Sequence, residues 1–317
     1  MPPANLGYNE WVMPSRFLPA IRARGDSYVR LRSLLFVPGD RPDQMQKAAA
    51  SGADALILDL EDSVAAERKN DARVHVATFL RREPRSILLF VRINPLSSGL
   101  GDQDLAALAD VSPDGWVLPK AEGAESVIEL ARRLTALQMP ARGILPIATE
   151  TAAAVFKLGE YASVAGHLAG LTWGAEDLSA AVGAASARGP DGRFTSPYEV
   201  LRALTLFAAH AASVRAIDTV YPAFRDQAGL SEYAKCGARD GFTGMLAIHP
   251  NQVAIINAAF TPDPELVARA RRIVEEFKRH PGAGVRNLDG EMVDAPHLKQ
   301  AQRILAQIDE PDSDSKG

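Results

Sequence analysis

From Leu31 onward, apolar runs of strand length alternate with segments of helical period. The apolar runs are LRSLLFVPGD (31–40), ADALILDLED (53–62), SILLFVRINP (86–95), GWVLPK (115–120) and GILPIATE (143–150). HLAGLTWGAEDL (167–178), RAIDTVYP (215–222) and GMLAIHP (244–250) complete the series. Near-continuous apolar strands are those buried on both faces, as in parallel sheets. Helical patterning is expected over 42–51, 66–82, 124–137, 199–213, 230–238 and 252–259. A small-residue helix is expected after Glu150 and a Gly, Ser and Pro-rich loop over 183–197. Strand and helix in alternation imply parallel pairing through right-handed crossovers. A doubly wound sheet alternates in the same way, but eight units within 31–260 fit a (β/α)8 TIM barrel better.

Two segments fall outside this pattern. Residues 1–30 read as an irregular N-terminal extension. They carry several Arg, but Glu10 and Asp26 weaken a reading as an organelle import signal. Residues 261–317 read as a C-terminal helical segment, with a helix in PELVARARRIVEEFKRH, a glycine-rich turn at 281–284, a last helix over 296–308 and a polar, frayed end.

Composition narrows the function classes. The chain has 317 residues, is 47% hydrophobic and 23% charged, and carries a net charge of −4 with both signs spread along it. Nothing in that distribution indicates nucleic acid or an anionic membrane as partner. The single Cys236 excludes an intrachain disulfide framework and fits a reducing compartment, so the expected location is the cytoplasm. No run approaches the ~18 apolar residues that a membrane span needs.

The ends of the strands carry the candidate chemistry. In order they read Asp40-Arg41, Asp59-Leu60-Glu61-Asp62, Arg92-Ile93-Asn94, Lys120, Glu150, Glu176-Asp177, Asp218 and His249. In a barrel these ends converge on one face, where active sites of this fold lie. Loops are polar in any protein, and that explains one or two such ends easily and eight poorly. Asp59, Glu150 and Asp177 are expected to converge with Arg92 and Lys120. Carboxylates at close range repel unless a cation neutralises them, and few protein oxygens with several waters is the donor set Mg²⁺ prefers. The absence of a His/Cys cluster disfavours zinc. The competing reading is a set of structural salt bridges to Arg92 and Lys120, which are costly to bury. Arg92 is suited to clamp a substrate carboxylate bidentately. His249 either touches ligand or merely caps a strand, and Glu176 reads as a supporting acid beside Asp177.

The residues also carry a resemblance. RSLLFVPGDRPDQMQKAAASGADALILDLEDSV (32–64), VRINPLSSG (91–99), LPKAEGAESV (118–127), WGAEDL (173–178) and GMLAIHPNQV (244–253) resemble the citrate lyase beta-subunit-like branch of the HpcH/HpaI aldolase superfamily. That branch includes malyl-CoA and citramalyl-CoA lyases. The resemblance implies a TIM barrel, a homotrimer or hexamer of trimers, and Mg²⁺-dependent cleavage of a 3-hydroxyacyl-CoA into an acyl-CoA and a 2-keto acid. It implies Glu150 and Asp177 as metal ligands, Arg92 on the carboxylate or keto-acid portion, and Asp59 near the metal's waters. Arg41 and Lys120 are expected at the CoA phosphates. GAGVRNLDGEMVDAPHLKQAQ (282–302) resembles the family's C-terminal lid, which places Asp294 in a neighbouring subunit's site as general acid/base. Two positions depart from the family pattern: Ala153 stands where relatives carry Arg, and TSPYEVLRALTLFAAH replaces a Tyr-Ala-Arg-Ser-like segment. Two other readings follow from the same motifs. One is a citrate lyase beta subunit acting on an acyl-carrier-protein thioester. The other is a non-catalytic barrel that binds an acyl-CoA.

Overall fold

The computed structural model describes residues 30–82, 87–280 and 284–308. The N-terminal extension, part of the expected turn at 281–284 and the polar end from 309 lie outside the described residues. The strands are β1 (Ser33–Pro38), β2 (Ala55–Asp59), β3 (Leu88–Arg92), β4 (Gly115–Leu118), β5 (Ile144–Pro146), β6 (Gly170–Leu171), β7 (Arg215–Asp218) and β8 (Gly244–Ala247). They form one parallel sheet in the order β5-β4-β3-β2-β1-β8-β7-β6. Parallel bridges Ile144–Leu168 and Ile147–Thr172 join its two edges. The amide of Ala148 donates to the Thr172 carbonyl at 2.9 Å and that of Ala169 to Ile144 at 2.7 Å, so the sheet closes into a (β/α)8 barrel.

Eight helices accompany the strands: α1 (Pro42–Ala48), α2 (Lys69–Leu80), α3 (Leu100–Ala107), α4 (Ala124–Ala136), α5 (Ala152–Val155), α6 (Glu176–Val182), α7 (Ser196–Ala211) and α8 (Gln227–Asp240). A ninth, α9 (Pro250–Ala259), follows β8. The apolar stripe of α4 explains its seat: Val127, Leu130, Ala131 and Leu134 recur at helical spacing and all are buried. Every residue of β2, β4 and β7 is buried, as expected for strands covered on both faces. No helix among the described residues is long and apolar enough to cross a membrane.

Several local expectations are corrected. The sixth strand is much shorter than 167–178. His167 ends a 3-10 stretch (Leu158–His167), and Glu176 and Asp177 sit in the first turn of α6. Helix α3 was not foreseen.

Three strand-end polar groups serve the scaffold. Asp218 is fully buried and accepts from Arg202 Nη2 at 2.7 Å, Trp173 Nε1 at 2.8 Å and Tyr233 Oη at 3.2 Å. Asn94 donates to Leu60 O at 2.8 Å and to Asp104, itself paired with buried Arg73. His249 caps α9, its Nδ1 accepting from the Asn251 amide at 3.2 Å, and its ring stacks on Phe224.

The residues from Thr261 on belong to a second compact unit. It contains α10 (Pro264–Arg279), an antiparallel hairpin of β9 (Val285–Leu288) and β10 (Glu291–Asp294), and α11 (Ala295–Ala306). Ala270, Ile273, Val293 and Ala301 form its core. The hairpin corrects the purely helical reading of this segment. Its turn is Asp289-Gly290, with φ of 55° and 88°, and Asp-Gly is the dipeptide that tolerates two left-handed residues in succession.

Removing the Asp218 carboxylate strands a largely buried Arg202 and two ring donors. Asp218→Ala is expected to lower unfolding free energy by about 3–5 kcal/mol, read by urea denaturation.

Candidate active site

The register of the barrel assembles the first charged pair. Asp59 and Arg92 are direct neighbours across β2 and β3. Arg92 closes on Asp59 with Nε to Oδ1 and Nη2 to Oδ2, both at 2.7 Å. Asp59 also accepts from the amides of Glu61 and Ser63. Burial opposes its ionisation, but the attraction and hydrogen bonds of Arg92 outweigh that and hold its carboxyl below the usual range. The remaining Arg92 nitrogen, Nη1, lies 3.0 Å from Glu61 and 3.4 Å from Asp62, and the guanidinium stacks over Phe36. Asp59 thus forms with Arg92 the kind of ion pair that the competing reading describes. Its two oxygens are committed to Arg92, and it acts by holding that guanidinium in place.

Glu61, absent from the expected site, is a central member of it. It is 4% exposed, and its Oε1 takes Lys120 Nζ at 3.0 Å. Its presence in Leu-Glu-Asp was visible in the sequence; its inward direction was not. Lys120 Nζ also lies 3.6 Å from Asp177. The Lys120 backbone has φ of +49°, an unfavourable conformation for a residue with a Cβ. In that conformation its amide donates to Glu150 Oε2 at 2.5 Å.

Glu150 follows β5, and the turn that carries it is tied to the turn after β6. Thr149 Oγ1 donates to the Gly174 carbonyl at 3.0 Å and accepts from the Gly174 amide at 3.2 Å. The backbone approaches closely at Gly174: a Cβ would lie 3.1 Å from Glu150 Cγ and 3.3 Å from Ile147 Cγ2, so both would have to give way to a side chain there. Glu150, Asp177, Arg92, Asp62 and Glu176 line one cavity of about 160 Å³, together with Phe36, Trp173, Phe194 and Arg188. Arg188 and Phe194 come from the Gly, Ser and Pro-rich loop, which held no candidate in the sequence reading.

The donor set suits a hard divalent cation. Two carboxylates from successive strand ends share the cavity, with no His or Cys among its lining residues. Among the described residues no group of three or more His, Cys, Asp or Glu is poised to ligate a metal. Two protein oxygens with water completing the shell is the arrangement Mg²⁺ accepts. Burial pushes the Glu150 carboxyl up to about 8, the Lys120 amide opposes this, and the negative charges of Glu61 and Asp177 add to it.

Arg41 does not line this cavity, and Asp294 belongs to the C-terminal unit. The Arg41 side chain is 58% exposed, its Nε 3.6 Å from Asp40, and it does not line the cavity. Asp294 lies in the C-terminal unit at the N-terminus of α11, where His297 Nδ1 is 2.5 Å from its Oδ1. That contact holds its carboxyl below the usual range.

A carboxyl whose folded pKa exceeds its unfolded value favours the fold at low pH and loses that contribution as pH rises toward the folded pKa. Metal-free protein is therefore expected to lose several degrees of Tm between about pH 5 and pH 8. Mg²⁺ should restore them, and Glu150→Gln should flatten the slope; calorimetric melting across that range reads both.

Comparison with known proteins agrees with this geometry. Residues 32–250 match the family model described as HpcH/HpaI aldolase/citrate lyase. The chain is 35% identical over 301 residues to the mitochondrial citramalyl-CoA lyase of Rattus norvegicus, covering 88% of this chain and 86% of that one. It is 39% identical over 283 residues to a citrate lyase subunit beta-like protein of Mycobacterium tuberculosis, covering 88% and 96%. The crystal structure of CitE from Mycobacterium tuberculosis, in complex with magnesium, acetoacetate and coenzyme A, superposes with a TM-score of 0.74 at 36% identity, covering 87% of this chain and 97% of that one. The chain thus belongs to the HpcH/HpaI aldolase/citrate lyase family.

Proposed function

We propose that this protein is a Mg²⁺-dependent carbon–carbon lyase. It cleaves, or in reverse condenses, a 3-hydroxyacyl-CoA such as malyl-CoA or citramalyl-CoA, with an acyl-CoA and a 2-keto acid as the other side of the reaction. The observation that carries this reading is the pair Glu150 and Asp177 on one cavity wall, in a chain whose relatives include a citramalyl-CoA lyase and a CitE structure that holds magnesium and coenzyme A. Glu150 and Asp177 would hold the ion. A bound Mg²⁺ supplies Lewis-acid polarisation of the substrate hydroxyl and of the carbonyl formed from it.

The chain's own groups do the rest. Arg92, fixed by Asp59 and Glu61, presents a permanent positive charge at the cavity wall and steadies the acid portion of the substrate. Lys120 lies beside Glu61 and Asp177 and balances their charge. Arg41, exposed after β1, is suited to a CoA phosphate. In the condensing direction Asp294, supplied by a neighbouring subunit of a trimer or hexamer of trimers, takes a proton from the α-carbon of the acyl-CoA. The resulting carbanion attacks the keto carbonyl, and the alkoxide so formed takes a proton from water. In cleavage the carbinol hydroxyl gives its proton to water, its oxygen electrons form the keto carbonyl as the bond to the α-carbon breaks, and Asp294 returns a proton to the α-carbon. Its ionised state beside His297 fits the proton-accepting step. The segment 261–317 then acts as a lid over the partner's barrel, and the lone Cys236 supports a cytoplasmic location.

Glu150→Ala and Asp177→Ala are each expected to abolish Mg²⁺ binding in calorimetric titration. Asp294→Ala is expected to lower kcat by roughly 10²–10⁴ with the Mg²⁺ affinity intact. Unchanged metal binding in both of the first two variants would sink the assignment.

A further inference from the structure

The second guanidinium on the cavity wall is unlike the others in the barrel. Arg188 sits in the loop between α6 and α7, with its guanidinium carbon 3.7 Å from the centroid of the Phe194 ring. Its Nη1 donates to the Gly192 carbonyl at 2.9 Å. Its Nε and Nη2 are buried and donate to no group among the described residues. These two nitrogens form the side-on fork of an arginine, the pair that meets both oxygens of one carboxylate.

Other arginines in the barrel close that fork. Arg32 does so on Asp54, Arg92 on Asp59 and Arg132 on Glu129, through Nε and Nη2 at 2.7–2.9 Å. Arg188 has the same fork, drawn away from water, and no carboxylate among the described residues receives it. Withdrawing charged donors from solvent without an acceptor is unfavourable. The Phe194 face offsets part of that and fixes the plane of the group. Arg188 lines the same cavity as Glu150 and Asp177, so an acceptor brought by a ligand there would complete it. Arg92 offers the acid its charge, but its own Nε and Nη2 are already closed on Asp59.

We propose that Arg188 binds a carboxylate of the short acid fragment through Nε and Nη2. The inference rests on the lyase reading and deepens it by naming a second guanidinium, beside Arg92, whose fork is left for a carboxylate of the acid. The carboxylate has two sources: the one adjoining the keto group, which every 2-keto acid has, or a second one on a dicarboxylic keto acid.

The test is calorimetric titration of the Mg²⁺-loaded protein with pyruvate, which has only the first carboxylate, and with oxaloacetate, which has both. Arg188→Met is expected to weaken binding about ten- to hundredfold, the range for a lost charged hydrogen-bonded pair. Arg188→Lys should recover little of it, because an ammonium keeps the charge and loses the fork. Loss with both acids assigns the carboxylate beside the keto group, and loss with oxaloacetate alone assigns the second; either supports the proposal. Binding of Mg²⁺ alone and of coenzyme A alone should be unchanged, and Tm should hold or rise, since an unpaired buried charge has been removed. Wild-type affinity for both acids in Arg188→Met would overturn the inference. So would a fall in Tm accompanied by weaker Mg²⁺ binding, the mark of a residue that only holds its loop. Mg²⁺ binding that survives Glu150→Ala and Asp177→Ala overturns the lyase reading instead, and a wild-type chain that takes up neither acid overturns both.

Discussion

The site is organised by an excess of buried carboxylate. Asp59, Glu61 and Glu150 are each no more than 5% exposed, and Asp177 stands beside them at the rim. Negative charges drawn from water at this density must be paired or protonated. Asp59 and Glu61 are answered by Arg92 and Lys120. Glu150 receives one backbone amide, and its ionisation is opposed by burial and by its neighbours. Among the described residues the fold thus gives Glu150 no cationic side chain and Asp177 only a share of Lys120, a pair suited to a divalent cation.

The scaffold makes that arrangement tolerable. The β2–β3 register sets Asp59 against Arg92, and the Thr149–Gly174 link fixes the β5 and β6 turns to each other. Asp218 ties β7 to Trp173 and to helix α7. Each of these is a polar contact among apolar walls, where geometry is retained because the alternative is an unpaired buried group. Lys120 in its left-handed conformation belongs to the same pattern, since that backbone direction is what aims its amide at Glu150.

Much of this was legible in the sequence because period and length are strong signals. Eight apolar runs separated by helical stretches gave the barrel, and their ends gave Glu150, Asp177, Arg92, Lys120 and Asp59. The reading failed where direction or local chemistry mattered more than period. Asp218, Asn94 and His249 look like the functional strand ends but serve packing and capping, a difference made by side-chain direction. The apolar run before Trp173 extended the sixth strand too far, because a 3-10 stretch and a strand share that composition. The Asp289-Gly290 hairpin was signalled and overlooked among helical patterns. Glu61 and Arg188 required the fold itself: one points inward from a strand end rich in acids, the other from a loop without periodicity.

The central claim is that Glu150 and Asp177 jointly hold a divalent ion. Mn²⁺ substitutes for Mg²⁺ at oxygen sites and is located by its anomalous scattering, so a crystal of the protein soaked with Mn²⁺ is the most direct measurement. The account predicts a single strong anomalous peak between the Glu150 and Asp177 carboxylates, lost in Glu150→Ala. A peak elsewhere, or none there at full soak, would contradict it.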